Sequence, residues 1–131
     1  MTLHRDRFEL ARSQFGKALA RLREALDADE TAMVRDALIQ RFEFTYELAW
    51  KSMFYWLRDQ GEKTPEMASA VFQAAFRCQL VEDPRVWEQT KDSRNETSHT
   101  YNEAKAIEVA SFVRAYAVHA FDALEFRLQA L

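Results

Sequence analysis

The residues best suited to chemistry are concentrated between Asp92 and Tyr101, where an arginine, a histidine and a tyrosine stand within eight positions. Arg94 carries a permanently charged, fork-shaped guanidinium that suits phosphate, and His99 supplies an imidazole, the usual proton carrier near neutral pH. Together these two groups could hold and cleave a phosphodiester. The spacing alone is not specific, because a surface ion pair of Arg94 with Asp92 or Glu96 and a histidine that fills a turn would give the same pattern.

The residues that follow His99 predict how this segment joins the next helix. Thr100 and Glu103 form a capping-box pattern, a threonine followed three residues later by a glutamate, which indicates that the last helix starts there. His99 would then lie just before a helix N-terminus, where unpaired backbone amides and the positive end of the helix dipole favour an anion. We therefore predict a phosphate site shared by Arg94, His99 and the first amides of the last helix.

Other helices must position this segment, and the composition favours them over strands. The 131 residues include ten phenylalanines but only two glycines and two prolines, which leaves few turn sites and much material for packing. Gly61 is a suitable helix end, and Thr64-Pro65 and Asp83-Pro84 are helix starts. The predicted helices span about residues 3–26, 31–60, 65–78, a shorter one from 84, and a last one from about 101 to the C-terminus. The expected fold is one all-α domain over residues 1–131, an antiparallel four-helix up-and-down bundle with a short extra helix.

The second helix has more apolar surface than one core face needs. Its broad face holds Phe42, Tyr46, Ala49, Trp50, Met53, Trp56 and Leu57. Phe44, Leu48 and Tyr55 form a separate stripe roughly opposite it. A central helix wrapped by its own chain would give the same pattern, but a four-helix bundle has no such central position. We therefore predict that the stripe is a subunit or partner interface, and that the bundle dimerises.

Charge and cysteine content exclude several classes of protein. A net charge of −3 does not suit a broad nucleic-acid surface, so any contact with RNA must be local. The single cysteine, Cys78, excludes an internal disulfide framework, and no apolar run has the length of a signal peptide or membrane span. We expect a cytoplasmic protein without a membrane anchor. His99 with Glu103 is an incomplete metal set, so neither metal nor cofactor is predicted. His119 is expected to be a partly buried core histidine.

Two stretches carry a resemblance to a known family. The segment from Phe42 to Lys51 reads FEFTYELAWK, and the segment from Arg94 to Tyr101 reads RNETSHTY. They resemble the two signatures of the nucleotidyltransferase substrate-binding family, a branch of the HEPN superfamily, and the similarity covers nearly the whole chain in order. The resemblance implies a helical bundle that dimerises and is often encoded beside a minimal nucleotidyltransferase.

The same resemblance implies an activity and assigns residues to it. Toxin members of the superfamily are metal-independent ribonucleases that carry arginine, four residues, histidine, one residue and tyrosine. Arg94, His99 and Tyr101 match all three positions, which implies that Arg94 and His99 are catalytic, with Asn95, Ser98 and Tyr101 in support. In toxin–antitoxin members the partner transferase attaches AMP to this tyrosine, so Tyr101 is the expected modification site.

A second function of a different class stays open. The family name describes chains that bind the substrate for a separate catalytic partner, and this chain could be such a non-catalytic subunit. Arg94 and His99 would then bind a ligand phosphate, and the aromatic surface of the second helix would dock the transferase. The chain has no glycine-serine turn followed by paired aspartates that would hold magnesium, so nucleotidyl transfer by the chain alone is not expected.

Overall fold

The computed structural model describes residues 3–131, and every regular element in that range is helical. The elements are α1 (Leu3–Asp27), α2 (Ala32–Asp59), α3 (Ala68–Arg77), α4 (Pro84–Glu96), a 3₁₀ turn (Thr97–His99), α5 (Glu103–Phe112), a π-helical turn (Val113–Ala117) and α6 (Val118–Gln129). The last three form one continuous rod. The predicted all-α bundle is confirmed, with α3 as its short extra helix. None of the described helices has both the length and the apolar character needed to span a membrane.

The hairpin of α1 and α2 forms the largest packed unit. Buried residues of α1 recur every three or four positions, as on an amphipathic helix: Phe8, Ala11, Phe15, Leu19, Leu22 and Ala25. The Thr31 hydroxyl caps α2 by accepting the Val34 amide at 3.1 Å. Gly61 follows α2 with φ of 88°, a left-handed conformation that glycine adopts without a steric cost. Both helices begin and end within one residue of the predicted spans 3–26 and 31–60.

The start of the third helix was predicted three residues too early. The Pro65 carbonyl accepts the Met67 amide at 2.8 Å in a tight turn, and Met67 has an extended backbone, so α3 begins only at Ala68. Thr64 is buried and caps nothing. For α4 the prediction is confirmed, because the Asp83 carboxylate accepts the Arg85 amide at 2.9 Å ahead of the first turn. With 13 residues, α4 is longer than the 10-residue α3, contrary to the expected order.

The π-helical turn changes the register of the last rod. Ala106, Ala110, Val113 and Ala117 are buried as predicted, but the next buried residue is Phe121, while Ala120 is only half-buried. A π-helical turn accommodates one residue more than an α-helical turn. The buried stripe therefore continues four residues after Ala117, at Phe121, before it returns to Leu124 and Leu128.

Phe121 is the aromatic centre of the core. Its ring centroid lies 6.2 Å from that of Phe15, 6.2 Å from that of Phe42 and 5.7 Å from that of Trp87. These contacts join α6 to α1, α2 and α4, and Phe72 of α3 packs on the far side of Trp87 at 5.5 Å. Because Trp87 is held in the core, the rotation of α4 about its axis is fixed. That rotation decides where the residues at the end of α4 point.

Candidate active site

Arg94 lies on the inward face of α4, near its C-terminal end. It follows the buried Trp87 and Thr90 by seven and four residues, so all three share one stripe of the helix. The Nη1 of Arg94 donates to the Thr97 hydroxyl at 3.0 Å, and that buried hydroxyl donates in turn to the Arg94 carbonyl at 2.7 Å. The side chain is 30% exposed. The packing of α4 thus holds the guanidinium at the edge of the bundle, partly accessible to solvent.

Two glutamates of α2 face this guanidinium. The Nη2 of Arg94 lies 3.6 Å from an oxygen of Glu43, and its Nε lies 3.8 Å from an oxygen of Glu47. Both distances exceed those of hydrogen bonds, and the buried Nε has no hydrogen-bond acceptor among the described residues. The two sequence signatures therefore meet in space. Glu43 and Glu47 were not predicted as site residues; the only sequence signal for them was a pair of carboxylates four residues apart within the first signature.

A compact polar turn connects Arg94 to the last rod. The Ser98 hydroxyl donates to the Asn95 carbonyl at 3.1 Å, and the Thr100 hydroxyl donates to the Thr97 carbonyl at 2.8 Å. The Asn102 amide donates to the His99 carbonyl at 3.1 Å. These short-range bonds satisfy the backbone carbonyls of Asn95, Thr97 and His99 locally.

The predicted capping box at Thr100 and Glu103 is wrong. The residue that caps α5 is Asn102, whose side-chain oxygen accepts the Lys105 amide at 3.3 Å, while the Thr100 hydroxyl is bonded back to Thr97. Asparagine is as good a cap as threonine, and the 3₁₀ turn places it at the helix entrance. The side chain of Asn102 takes up one of the first amides. His99 ends the 3₁₀ turn and stands three residues before the cap.

The side chains of the motif residues after Arg94 point largely to solvent. Ser98 and His99 are exposed, and Tyr101 is 87% exposed. The rings of His99 and Tyr101 meet edge to face, with centroids 6.3 Å apart and planes at 70°. Such an arrangement leaves the imidazole and the phenol accessible to a large substrate, to a partner, or to a second copy of the chain.

The lysines around the motif are paired with carboxylates of neighbouring residues. Lys91 pairs with Glu88 at 3.2 Å, and Lys105 lies 3.3 Å from Glu96 and 3.4 Å from Glu108. Hydrogen bonds to Glu96 and Glu108 raise the pKa of Lys105. The local positive charge of these lysines is therefore neutralised within each chain.

Tyr46 lies on the buried face of α2 between the two glutamates. Burial raises the pKa of its phenol well above the ordinary value; the charges of Glu47 and Glu88 act in the same direction, and that of Arg94 opposes them. Tyr46 is thus a neutral packing residue, with its ring against Phe72 at 6.4 Å.

The predicted interface stripe is only partly accessible. Phe44 is 56% exposed, whereas Leu48 and Tyr55 are half-buried and pack against the core. The Tyr55 ring meets that of Phe54 at 5.3 Å and lies under the Arg7 guanidinium at 5.9 Å. Further large apolar side chains that the prediction did not include are exposed on the last rod: Ile107, Tyr116 and Phe126.

His119 and Cys78 lie outside the motif. His119 is exposed, so the expectation of a partly buried core histidine is wrong; it follows the buried Ala117 by two residues, about 200° around the helix, and therefore faces solvent. Burial raises the pKa of the Cys78 thiol, as does the nearby Glu62, which favours the protonated, unreactive form of the cysteine. Residues 3–131 contain no group of three or more side chains that could hold a metal ion.

Comparison with known proteins adds independent information. The family model described as "Nucleotidyltransferase substrate binding protein like" matches residues 10–130. A Haemophilus influenzae protein named probable ribonuclease HepT is 33% identical over 104 residues, which cover 73% of this chain and 71% of that protein. The family match includes almost all of the described bundle.

The solved structures that are similar to this one include two with closely matching folds. A crystal structure of a Thermus thermophilus protein has a TM-score of 0.80 and 34% sequence identity, and the match covers 88% of this chain and 98% of that one. A Haemophilus influenzae structure has a TM-score of 0.70 and 25% identity, over 93% of this chain and 96% of that one. The latter is described as revealing the fold of a substrate binding domain of a nucleotidyltransferase.

Proposed function

The chain belongs to the nucleotidyltransferase substrate-binding family, and from that membership we propose that it is a HEPN-type, metal-independent ribonuclease. In this proposal it is the toxin of a cytoplasmic toxin–antitoxin pair with a minimal nucleotidyltransferase. The observation that carries the proposal is the Arg94 guanidinium, which makes a single hydrogen bond to the described residues, five positions before an exposed His99. The name of the Haemophilus influenzae relative, probable ribonuclease HepT, supports the same reading.

The proposed reaction uses the 2′-hydroxyl of RNA as an internal nucleophile. A base removes the 2′ proton, the 2′-oxygen attacks phosphorus, and the bond to the 5′-oxygen breaks as an acid protonates that leaving oxygen. The products are a 2′,3′-cyclic phosphate and a 5′-hydroxyl. The imidazole of His99 is the group that accepts the 2′ proton and the group that protonates the leaving oxygen. The forked guanidinium of Arg94 stabilises the negative charge on the non-bridging oxygens. No metal takes part in this scheme.

A homodimer completes the proposed site. One imidazole cannot readily be base and acid in the same step, so two copies of His99 are needed across a symmetry axis. Charge points the same way, because one Arg94 faces both Glu43 and Glu47, and a second guanidinium would offset that excess of carboxylate. The exposed Phe44 lies on a neighbouring face of α2. A dimer joined at Phe44, with Leu48 and Tyr55 at the edge, would bring the partner toward Arg94.

Tyr101 is the proposed point of control by the partner transferase. Its 87% exposure makes the phenol accessible for transfer of AMP, with the phenolic oxygen attacking the α-phosphate of ATP and pyrophosphate leaving. A bulky anion beside Arg94 and His99 would block RNA and offset the cation. Incubation of the chain with its transferase and ATP should add the mass of one AMP group, and Tyr101→Phe should gain none.

The second candidate is a non-catalytic subunit that binds the substrate of the nucleotidyltransferase. The description of the Haemophilus influenzae structure as a substrate binding domain favours it. So does the acidic setting of Arg94, which weakens the attraction of a single chain for polyanionic RNA. In this case Arg94 and His99 hold a ligand phosphate and perform no chemistry.

Cleavage by the isolated chain separates the two candidates. Total tRNA and mRNA would be incubated with the purified chain, without its transferase, in EDTA, beside His99→Ala as the background for contaminating nuclease. We expect the wild-type chain alone to cut RNA. Absence of cleavage by folded wild-type dimer of unmodified mass would reject the ribonuclease and favour the substrate-binding subunit.

A further inference from the structure

We propose that Glu43 and Glu47 of α2 are positioning residues that fix the Arg94 guanidinium in the orientation its reaction requires. The inference rests on the proposed function for its effect on cleavage, but the orientation of Arg94 can be tested separately. It assigns a role to the acidic residues of the first sequence signature. Neither glutamate is expected to touch RNA.

The geometry gives the two carboxylates a shared target. Glu43 and Glu47 are four residues apart and so project from the same side of α2, toward the end of α4. Glu43 lies nearest Nη2 of Arg94 at 3.6 Å and Glu47 nearest Nε at 3.8 Å, while Thr97 accepts from Nη1 at 3.0 Å. Each of the three guanidinium nitrogens therefore faces the oxygen of a different residue. Only the Thr97 contact is a hydrogen bond, so most N–H donors of Arg94 stay available to a ligand.

The electrostatics explain why α2 carries this pair. Two like charges four residues apart on a helix repel each other, and Arg94 relieves that repulsion. The carboxylates are 31% and 45% exposed, so their attraction for Arg94 is screened and cannot hold it as a buried ion pair would. They orient the cation but leave it able to bind an anion.

Orientation matters because a flexible arginine loses entropy when it must find the phosphate. Arg94 is restricted before substrate arrives by Thr97 on one edge and the glutamates on the others. Preorganised charge of this kind stabilises a transition state without rearrangement during the reaction. Removal of one carboxylate should release one edge of the fork, and removal of both should leave only Thr97.

The test compares Glu43→Gln, Glu47→Gln and the double variant with Glu62→Gln. Glu62 is a matched control on the α2–α3 connection, because it is 35% exposed and pairs with Arg77 at 3.2 Å. We expect the double variant to lose about 10²-fold in kcat with KM little changed, as misplacement of a reacting group would cause. Each single variant should lose less, Glu47→Asp should restore part of the Glu47→Gln loss, and the control should match wild type.

A second readout does not depend on catalysis. In protein labelled with ¹⁵N-arginine, the Nε–H signal of Arg94, identified by its absence in Arg94→Lys, should exchange slowly with water because this atom is buried. The signal should exchange faster in the double variant and be unchanged in Glu62→Gln. An unchanged signal in the double variant would overturn the proposal, and so would a wild-type kcat. A lower KM in the double variant would also overturn it, because it would mean that the glutamates mask Arg94 from RNA. If wild type cuts no RNA, the proposed function fails, and the Nε–H signal still decides whether the pair orients Arg94.

Discussion

Two arginines at two junctions of the bundle are almost equally exposed but are held in different ways. Arg114, in the π-helical turn, is 35% exposed; its Nε and Nη2 both donate to Glu30, at 3.2 and 3.0 Å, and its Nη1 donates to the Leu26 carbonyl at 2.8 Å. Arg94, at the end of α4, is 30% exposed, and its side chain makes one hydrogen bond within residues 3–131, to Thr97. The difference therefore does not come from burial.

The contrast separates a structural arginine from one suited to bind an anion. Arg114 uses its whole fork to tie the α1–α2 loop to the last rod, and Glu30 is further engaged by Arg35 at 3.1 Å. Arg94 has carboxylates beyond hydrogen-bond distance and keeps its donors for another acceptor. Changes at the first junction should alter stability, and changes at the second should alter activity.

The largest expected effect is at the motif. His99→Ala should reduce RNA cleavage by about 10²–10⁴-fold, the usual cost of removing a general acid–base group. The melting temperature should stay that of wild type because His99 is exposed. His119→Ala, at another exposed histidine, is the control and should cleave normally. A folded His99→Ala protein with full activity would show that the motif is not catalytic.

At the other junction, Arg114→Ala should lower the free energy of unfolding by about 1–2 kcal/mol, since a charged hydrogen-bonded group is lost from a partly exposed site. The rate of RNA cleavage at a temperature well below melting should not change. Urea unfolding and initial rates would measure the two effects. An equal loss of activity and stability would break the distinction between the two arginines.

The Glu30 carboxylate should give this junction a pH dependence. Burial acts to raise the pKa of Glu30, but hydrogen bonds from Arg35 and Arg114 outweigh it, so the pKa is lowered from its ordinary value of 4.5. The native state thus gains stability above pH 4.5, and loses it as the pH falls through the lowered native pKa. Urea unfolding of wild type and Glu30→Gln from about pH 6 to pH 3 should show a shallower fall for the variant. Parallel curves would contradict the assignment.

The smallest effect on stability is expected at Tyr101. Because the side chain is 87% exposed, Tyr101→Phe should change the free energy of unfolding by less than about 0.5 kcal/mol. The variant should still cut RNA but should escape silencing by the transferase and ATP. Silencing of Tyr101→Phe at the wild-type rate would place the modification elsewhere.

Much of the fold could be predicted from the sequence. The start of α4 was indicated by Asp83, whose carboxylate accepts the Arg85 amide only two positions away. The second helix was expected from about residue 31, and Thr31 is the residue that caps α2. Two features could not be predicted from the sequence, because they depend on non-local packing or on competition between neighbouring capping residues. The π-helical turn buries Phe121 in place of Ala120, and Asn102 caps α5 in place of Thr100.

Only part of the candidate site could be identified from the sequence. Spacing and resemblance identified Arg94, His99 and Tyr101, which are close along the chain. The partners of Arg94 lie on α2, far earlier in the chain, and only the rotation of α4 set by Trp87 brings the two signatures together. Sequence periodicity also could not show that α1 and the core cover much of Leu48 and Tyr55.

The most direct test is the rate of RNA cleavage by the isolated chain in EDTA for wild type, Arg94→Lys and Arg114→Lys. Lysine keeps the charge but lacks the fork. We predict that Arg94→Lys loses about 10²–10³-fold in rate, as when a transition-state donor is removed, while Arg114→Lys cleaves like wild type. Equal cleavage by wild type and Arg94→Lys would contradict the claim that this arginine serves the reaction.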